Sequence, residues 1–215
     1  MKVIQCWDDG VTTDIRLIEI FKKYDAKATF NLCLGKNGSE RQLIDQFNDI
    51  DIVSLAYDEL YETYKDFDVA NHSLTHPGLP SLSQQDLEYE IVENKARLEA
   101  LFNREISGFC YPFGAVSNKV RDEVEKAGHR YARVVEDLEN HKVNKDLLLL
   151  KPHCHFLAPD FWARYEAAKA CEVFYFWGHS FEMHTEEMWQ EFENKIAFIS
   201  NDPEAEWDSI TNVYK

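Results

Sequence analysis

The sequence is short of positive charge. Its 23 lysines and arginines face 39 aspartates and glutamates, a formal net charge of −16 over 215 residues. With no basic stripe to neutralise phosphates, nucleic acid and anionic membrane surfaces are excluded as main partners. Cysteine is sparse and scattered. Cys6, Cys33, Cys110, Cys154 and Cys171 are odd in number and include no Cys-x-x-Cys pair. That argues against a disulfide framework or a thiolate zinc site and fits a reducing compartment. No apolar run approaches membrane-spanning length, and a strand signal from Lys2 leaves no room for a signal peptide ahead of it. A cytoplasmic location is therefore expected. Repeats, low-complexity tracts and Pro/Gly/Ser-rich linkers are absent, and nothing signals an oligomeric state. The length and a hydrophobic content of 45% suit one domain, taken as residues 1–215.

What is present is an alternation of strand and helix signals. Lys2–Trp7 reads as a strand, followed by helical spacing at Leu17, Ile20, Phe21 and Tyr24. Lys27–Leu34 alternates as a second strand; Arg41–Phe47 reads as helical and Ile50–Leu55 as a strand. Asp68–Asn71 is a strand, and a capping-box-like Ser83 opens a helix to about Phe102, apolar on one face except at Asn94. Ile106–Tyr111, Tyr131–Val135, Leu147–Lys151, Val173–Trp177 and Trp207–Val213 read as strands. Helices are expected around Val120–Ala127, from Asp160 to Ala170, and from Thr185 to Ile199. Strands alternating with helices imply parallel pairing, and some seven such units predict a (β/α) barrel. Its active site would lie at the C-terminal strand ends.

Polar or Gly/Pro motifs follow four of these strands: Asp8-Asp9-Gly10, Asn71-His72-Ser73-Leu74-Thr75-His76-Pro77, Pro112-Phe113-Gly114 and Gly178-His179-Ser180. Strand ends at one rim converge, so these motifs are expected to meet. His72 and His76, four residues apart, can reach one metal ion, and Pro77 keeps His76 out of a regular helix. Asp-Asp-Gly alone is a common turn sequence. Together with the two imidazoles it offers one carboxylate ligand and a second, free carboxylate. Such a set leaves coordination positions open, as a catalytic zinc-type centre needs. The same ligands occur in non-haem iron oxygenases, but there they usually share one motif.

These residues also carry a family resemblance. Cys6-Trp7-Asp8-Asp9-Gly10 resembles the Thr-Phe-Asp-Asp-Gly motif of polysaccharide deacetylases, the NodB-homology carbohydrate esterases. Asn71–Pro77 resembles their His-Ser/Thr-x-x-His motif, Tyr111–Gly114 their Arg-x-Pro-x-Gly motif, and Phe176–His179 their final strand ending in His. The resemblance spans about residues 3–182 and implies an α/β fold, a distorted seven- or eight-stranded NodB-like (β/α) barrel. It implies a divalent metal on Asp9, His72 and His76, with Zn2+ expected and Co2+, Ni2+ or Fe2+ as alternatives. By the same resemblance Asp8 is the general base, His179 the general acid, and the Phe113 backbone N–H an oxyanion donor. The implied activity is removal of an acetyl group from an N-acetylated sugar. The alternatives are a cyclic-amide or other C–N hydrolase on a small amide, and a non-catalytic carbohydrate-binding relative.

The sequence departs from the family in two places. The third-motif Arg, which orients the base, is Cys110; Arg133 on the next strand is the candidate substitute. The fourth motif, an Asp near a Trp, is not evident. Glu182, three residues after His179, is a candidate to orient that ring. His153 and His155 share a strand face, so His155 is an expected substrate contact or accessory ligand. Tyr111, Trp177 and Phe181 are expected to offer a stacking surface for sugar.

Overall fold

Period-two alternation along one central strand sets the architecture. β1 (Lys2–Asp8) is buried from Val3 onward. Its Val3 and Trp7 pack outward against helices, while Ile4 and Cys6 point inward. The computed structural model describes residues 1–138 and 146–214. After β1 come α1 (Asp14–Lys23), β2 (Thr29–Leu32), β3 (Gln42–Phe47), β4 (Ile50–Ser54), α2 (Tyr57–Tyr64), β5 (Asp68–Asn71) and α3 (Gln84–Phe102). Then follow β6 (Gly108–Cys110), α4 (Asn118–Lys126), β7 (Tyr131–Arg133), β8 (Cys154–His155), α5 (Phe161–Ala168), β9 (Val173–Gly178), α6 (Glu186–Asn201), β10 (Glu206–Trp207) and α7 (Ile210–Val213).

The main sheet has the order β7-β6-β5-β2-β1-β9-β8, with β10 also on β1, and every pairing is parallel. It curls toward a ring. Leu150 bridges to Arg133 on β7, and the His153 N–H reaches the Tyr175 carbonyl of β9 at 2.6 Å. The segment 150–155 thus lies between the two ends of the sheet. This is the distorted (β/α) barrel of the sequence reading. Outside it, Trp7 packs on Phe21, Phe156 and Phe192 with ring centroids 5.0–5.9 Å apart. Inside, Ile4, Cys6, Tyr131, Leu150, Tyr175 and Ile210 fill the barrel.

Three expectations need correction. Arg41–Phe47 is not helical: it forms β3, paired antiparallel with β4 in a hairpin. Leu147–Lys151 is a 3-10 turn, Leu147–Leu149, with a single bridge at Leu150. Trp207–Val213 is two strand residues followed by α7, because Ser209 caps a helix through the Asn212 N–H. α2 and the short β8 had no periodicity long enough to announce them. All five cysteines are free thiols. Among the described residues no helix is long and apolar enough to cross a membrane.

Candidate active site

The inward alternation that places Ile4 and Cys6 in the barrel puts Asp8 next, at its mouth. On neighbouring strands Cys110 of β6 and Arg133 of β7 are ladder partners, and Trp177 of β9 is the ladder partner of Cys6, one inward step below Asp8. Asp8 is nearly inaccessible. Its Oδ1 accepts from Asn31 Nδ2 at 2.6 Å, and its Oδ2 is ion-paired with Arg133 Nη2. Arg133 is 1% exposed rather than snorkelling, and its guanidinium lies 4.4 Å from the Trp177 ring centroid. Cys110 and Arg133 are ladder partners, so the two positions share one level. An arginine one strand over therefore reaches the carboxylate that a thiol cannot pair with; Cys110 Sγ stays 3.9 Å from both Asp8 oxygens. Burial pushes the Asp8 pKa up, but the charges of Arg133, His72 and His179 outweigh it and hold the carboxyl well below its usual range.

Asp9 and the two histidines meet beside Asp8. Asp9 Oδ1 lies 4.0 Å from His72 Nε2 and 3.9 Å from His76 Nε2, and the imidazole centroids are 4.8 Å apart. Asp9 (φ +83°), Ser73 (+61°), His76 (+62°) and Phe113 (+59°) all adopt left-handed backbone, a cluster of local strain at one rim. The loop between the histidines is held from below by α3. Asn94 donates to the Leu32 carbonyl (2.8 Å) and to Asn71 Oδ1 (2.7 Å), and Asn71 Oδ1 accepts the Ser73 N–H (3.0 Å). Glu90 accepts both the Thr75 N–H (2.8 Å) and hydroxyl (2.6 Å). Neither Glu90 nor Asn94 was read as part of the site. The one available signal was Asn94, a polar residue on the apolar face of its helix.

Two observations fit this trio to a cation. His72 Nδ1–H donates to the Cys110 carbonyl at 2.8 Å, which leaves the Nε2 lone pair facing the two carboxylates, 4.0 Å from both Asp8 Oδ2 and Asp9 Oδ1. Asp9 Oδ1 is a buried carboxylate oxygen with no hydrogen-bond partner among the described residues. Burial lowers both His72 and His76 to about 4, so both rings are neutral and able to ligate at ordinary pH. Cys33 and Cys110 also crowd the carboxylates, in the groups Asp9–Cys33–His72 and Asp8–His72–Cys110. Burial raises both thiols well above the usual range, so they stay protonated, and Cys33 Sγ donates to the His72 carbonyl at 3.0 Å.

Across the cleft, His179 Nε2 lies 3.8 Å from Asp8 Oδ2 and 4.0 Å from Asp9 Oδ2. On its other side Nδ1 is 3.3 Å from Glu182 Oε2. Burial works to lower the His179 pKa, but the carboxylates of Glu182, Asp8 and Asp9 prevail and raise it. Phe113 is 67% exposed, its ring 4.4 Å from that of His76. These groups line a cleft of about 460 Å3, walled on one side by Ile44, Asp45 and Ile52 of the hairpin. The hairpin reaches over to Phe181 through Phe47, centroids 5.6 Å apart. A larger hollow of about 560 Å3 beside α5 and α6 faces none of the motif residues.

Three expected contacts are placed differently. Tyr111 is fully buried, and its hydroxyl is committed to the Leu148 carbonyl at 3.0 Å, so it floors the cleft rather than offering a stacking face. His153 is turned into the protein, accepting the Tyr175 N–H on Nδ1 at 3.0 Å, and shares no ligand with His155. His155 Nε2 faces Glu182 Oε2 at 2.9 Å rather than the cleft, and with His179 and Glu182 it forms a group whose atoms could hold an ion, in line with the accessory-ligand expectation. Trp177 does line the cleft, and its indole N–H has no partner among the described residues.

The sequence model of the polysaccharide deacetylase family matches residues 1–132, more than half of the chain. The chain belongs to the polysaccharide deacetylase family. No curated protein matches it in sequence. Among solved structures, it is similar to a polysaccharide deacetylase from Bacillus cereus at 22% identity and a TM-score of 0.55. That match covers 68% of this chain and 44% of the other, so the chain spans less than half of that relative. A family 4 carbohydrate esterase from Streptomyces lividans, in complex with acetate, matches at 15% identity and a TM-score of 0.61, covering 95% and 90% of the two chains. A carbohydrate esterase family 4 pseudoenzyme from Bacillus anthracis matches at 17% identity and a TM-score of 0.61, covering 100% and 65%. At these identities the likeness establishes a shared fold.

Proposed function

We propose that residues 1–215 act as one metal-dependent hydrolase domain that removes the acetyl group from an N-acetylated sugar. Membership of the deacetylase family supports the reaction class. The observation that carries the reading is the facing pair, Asp8 and His179, set 3.8 Å apart beside Asp9, His72 and His76. Neither is needed merely to hold an ion, so their placement speaks for turnover and against a binding-only relative.

Asp9, His72 and His76 would hold the ion, which we assign as Zn2+. A divalent ion there supplies Lewis acidity, lowering the pKa of water toward neutrality and polarising the acyl oxygen. Asp8 takes the proton of the attacking water at Oδ2. Its ion pair with Arg133 makes it a weak base fixed in one orientation. The Phe113 backbone N–H is the donor toward the acyl oxygen as charge develops there, a contribution of about 3 kcal/mol for a well-aimed group. The amine leaves poorly as an anion, so His179 Nε2 delivers a proton to the departing nitrogen. Glu182 orients that ring in place of the family's absent fourth-motif Asp. The missing third-motif Arg was the reason to consider another C–N hydrolase, and Arg133 supplies that guanidinium from β7. Trp177, with its unpartnered N–H, is assigned to the sugar.

Acetate release from N-acetylglucosamine oligomers tests the reading. Wild type is expected to turn over, while Asp8→Asn and His179→Gln lose about 100-fold or more in kcat and retain the metal. Wild type that binds one ion yet releases no acetate would reject it.

A further inference from the structure

His155 has no task in the chemistry proposed above. It ends β8 in register with Trp177 of β9, so its ring rises at the same rim as His179. Its Nδ1 accepts the Leu157 N–H at 3.3 Å. The neutral ring therefore carries its proton on Nε2, which lies 2.9 Å from Glu182 Oε2. The same oxygen accepts the His179 backbone N–H at 3.0 Å and lies 3.3 Å from His179 Nδ1. Glu182 itself sits at the end of a three-residue 3-10 turn, Ser180–Glu182, an element too short to fix a long side chain alone. The His155 ring is wedged in turn, with centroids 4.8 Å from Trp177 and 4.9 Å from Phe156. Gly178 leaves room for this packing: a Cβ there would fall 2.1 Å from Phe156 and 3.3 Å from His155 Nε2.

We infer that His155 is a positioning residue that clamps Glu182 Oε2 against His179 and so holds the acid with Nε2 aimed across the cleft at Asp8. The inference rests on the deacetylase reading for its kinetic consequence, not for the contact itself. Two histidines from adjacent strands share one carboxylate, and only one of them faces the substrate.

The test pairs kinetics with spectroscopy. His155→Ala is expected to lower kcat on N-acetylglucosamine oligomers about 10–100-fold, with KM changed by less than about twofold. His155→Gln, whose amide N–H can replace the Nε2–H donor, is expected to recover kcat to within about threefold of wild type. Nitrogen-15 NMR of the imidazoles should show His155 as the Nε2–H tautomer, with both His155 and His179 resonances shifting in Glu182→Gln. Failure of wild type to release acetate would count against the proposed function alone, and the NMR arm would then decide the contact. The inference is overturned by a His155 proton on Nδ1, by resonances indifferent to Glu182→Gln, or by wild-type kcat in His155→Ala. It is also overturned if His155→Gln is as slow as His155→Ala, or if a second ion per chain is lost in both His155→Ala and Glu182→Gln.

Discussion

Asp8 and Arg133 show how one residue's environment sets its chemistry. A buried carboxylate ordinarily becomes harder to ionise, yet here the adjacent guanidinium keeps it charged. Removing the cation leaves an uncompensated buried charge, at a cost of about 3–5 kcal/mol of stability. Arg133→Ala is therefore expected to melt at lower temperature than wild type and to lose about tenfold or more in kcat. The sign of its pH effect follows. Without Arg133 the Asp8 pKa rises, so the acidic limb of kcat/KM moves to higher pH. A limb unmoved in a folded Arg133→Ala protein would detach Arg133 from the base.

At the scale of elements, α3 and the β3–β4 hairpin serve the site without touching the reacting atoms. α3 holds the histidine loop through Asn94 and Glu90. Asn94→Ala strands the buried Asn71 and Leu32 acceptors, costing about 1–3 kcal/mol, and is expected to weaken metal affinity about 10–100-fold. Isothermal titration with Zn2+ of the metal-free protein reads this; unchanged affinity would confine Asn94 to packing. The hairpin leans on Phe181 through Phe47. Phe47→Ala is expected to raise KM for the oligomers with little change in kcat or metal content, and a fall in kcat alone would place the hairpin in the chemistry. These two elements also mark what was legible in the sequence. The strands bearing Asp8, His72 and His179 could be read because apolar runs end abruptly in polar motifs. The first strand of the hairpin was misread as a helix because β3 is largely exposed and shows no apolar alternation, whereas Ile50–Ser54 was legible as a strand. β8 was read only through the strand face assigned to His153 and His155, because two residues make no apolar pattern. The Arg133–Asp8 pairing was open to inference because adjacent parallel strands share levels. The Glu90 and Asn94 supports were not, since their backbone and side-chain partners lie more than a dozen residues away in the chain.

For the whole molecule, buried imidazoles set the acid response. Burial lowers His72 and His76 to about 4 and His129 to about 3, against 6.5 for a free side chain. As pH falls from about 6.5 toward 4 the unfolded chain takes up protons that the fold refuses, so stability drops across that window. Asp14 and His179 work the other way: burial raises Asp14 to about 7 and the neighbouring carboxylates raise His179, so their protonation favours the fold as pH falls. Three groups against two give a net loss, and the urea midpoint is expected to be lower at pH 5 than at pH 7. An equal or higher midpoint at pH 5 would mean that these rings charge within the fold. The central claim is that the rim of this barrel is a metal site built from Asp9, His72 and His76. Metal stoichiometry of purified wild type, Asp9→Ala, His76→Ala, Cys33→Ala and Cys110→Ala tests it most directly. One ion per chain in wild type and in both cysteine variants, lost in Asp9→Ala and His76→Ala, is the predicted result. No ion under zinc-replete conditions, or an ion lost with the cysteines and kept without Asp9, would contradict it.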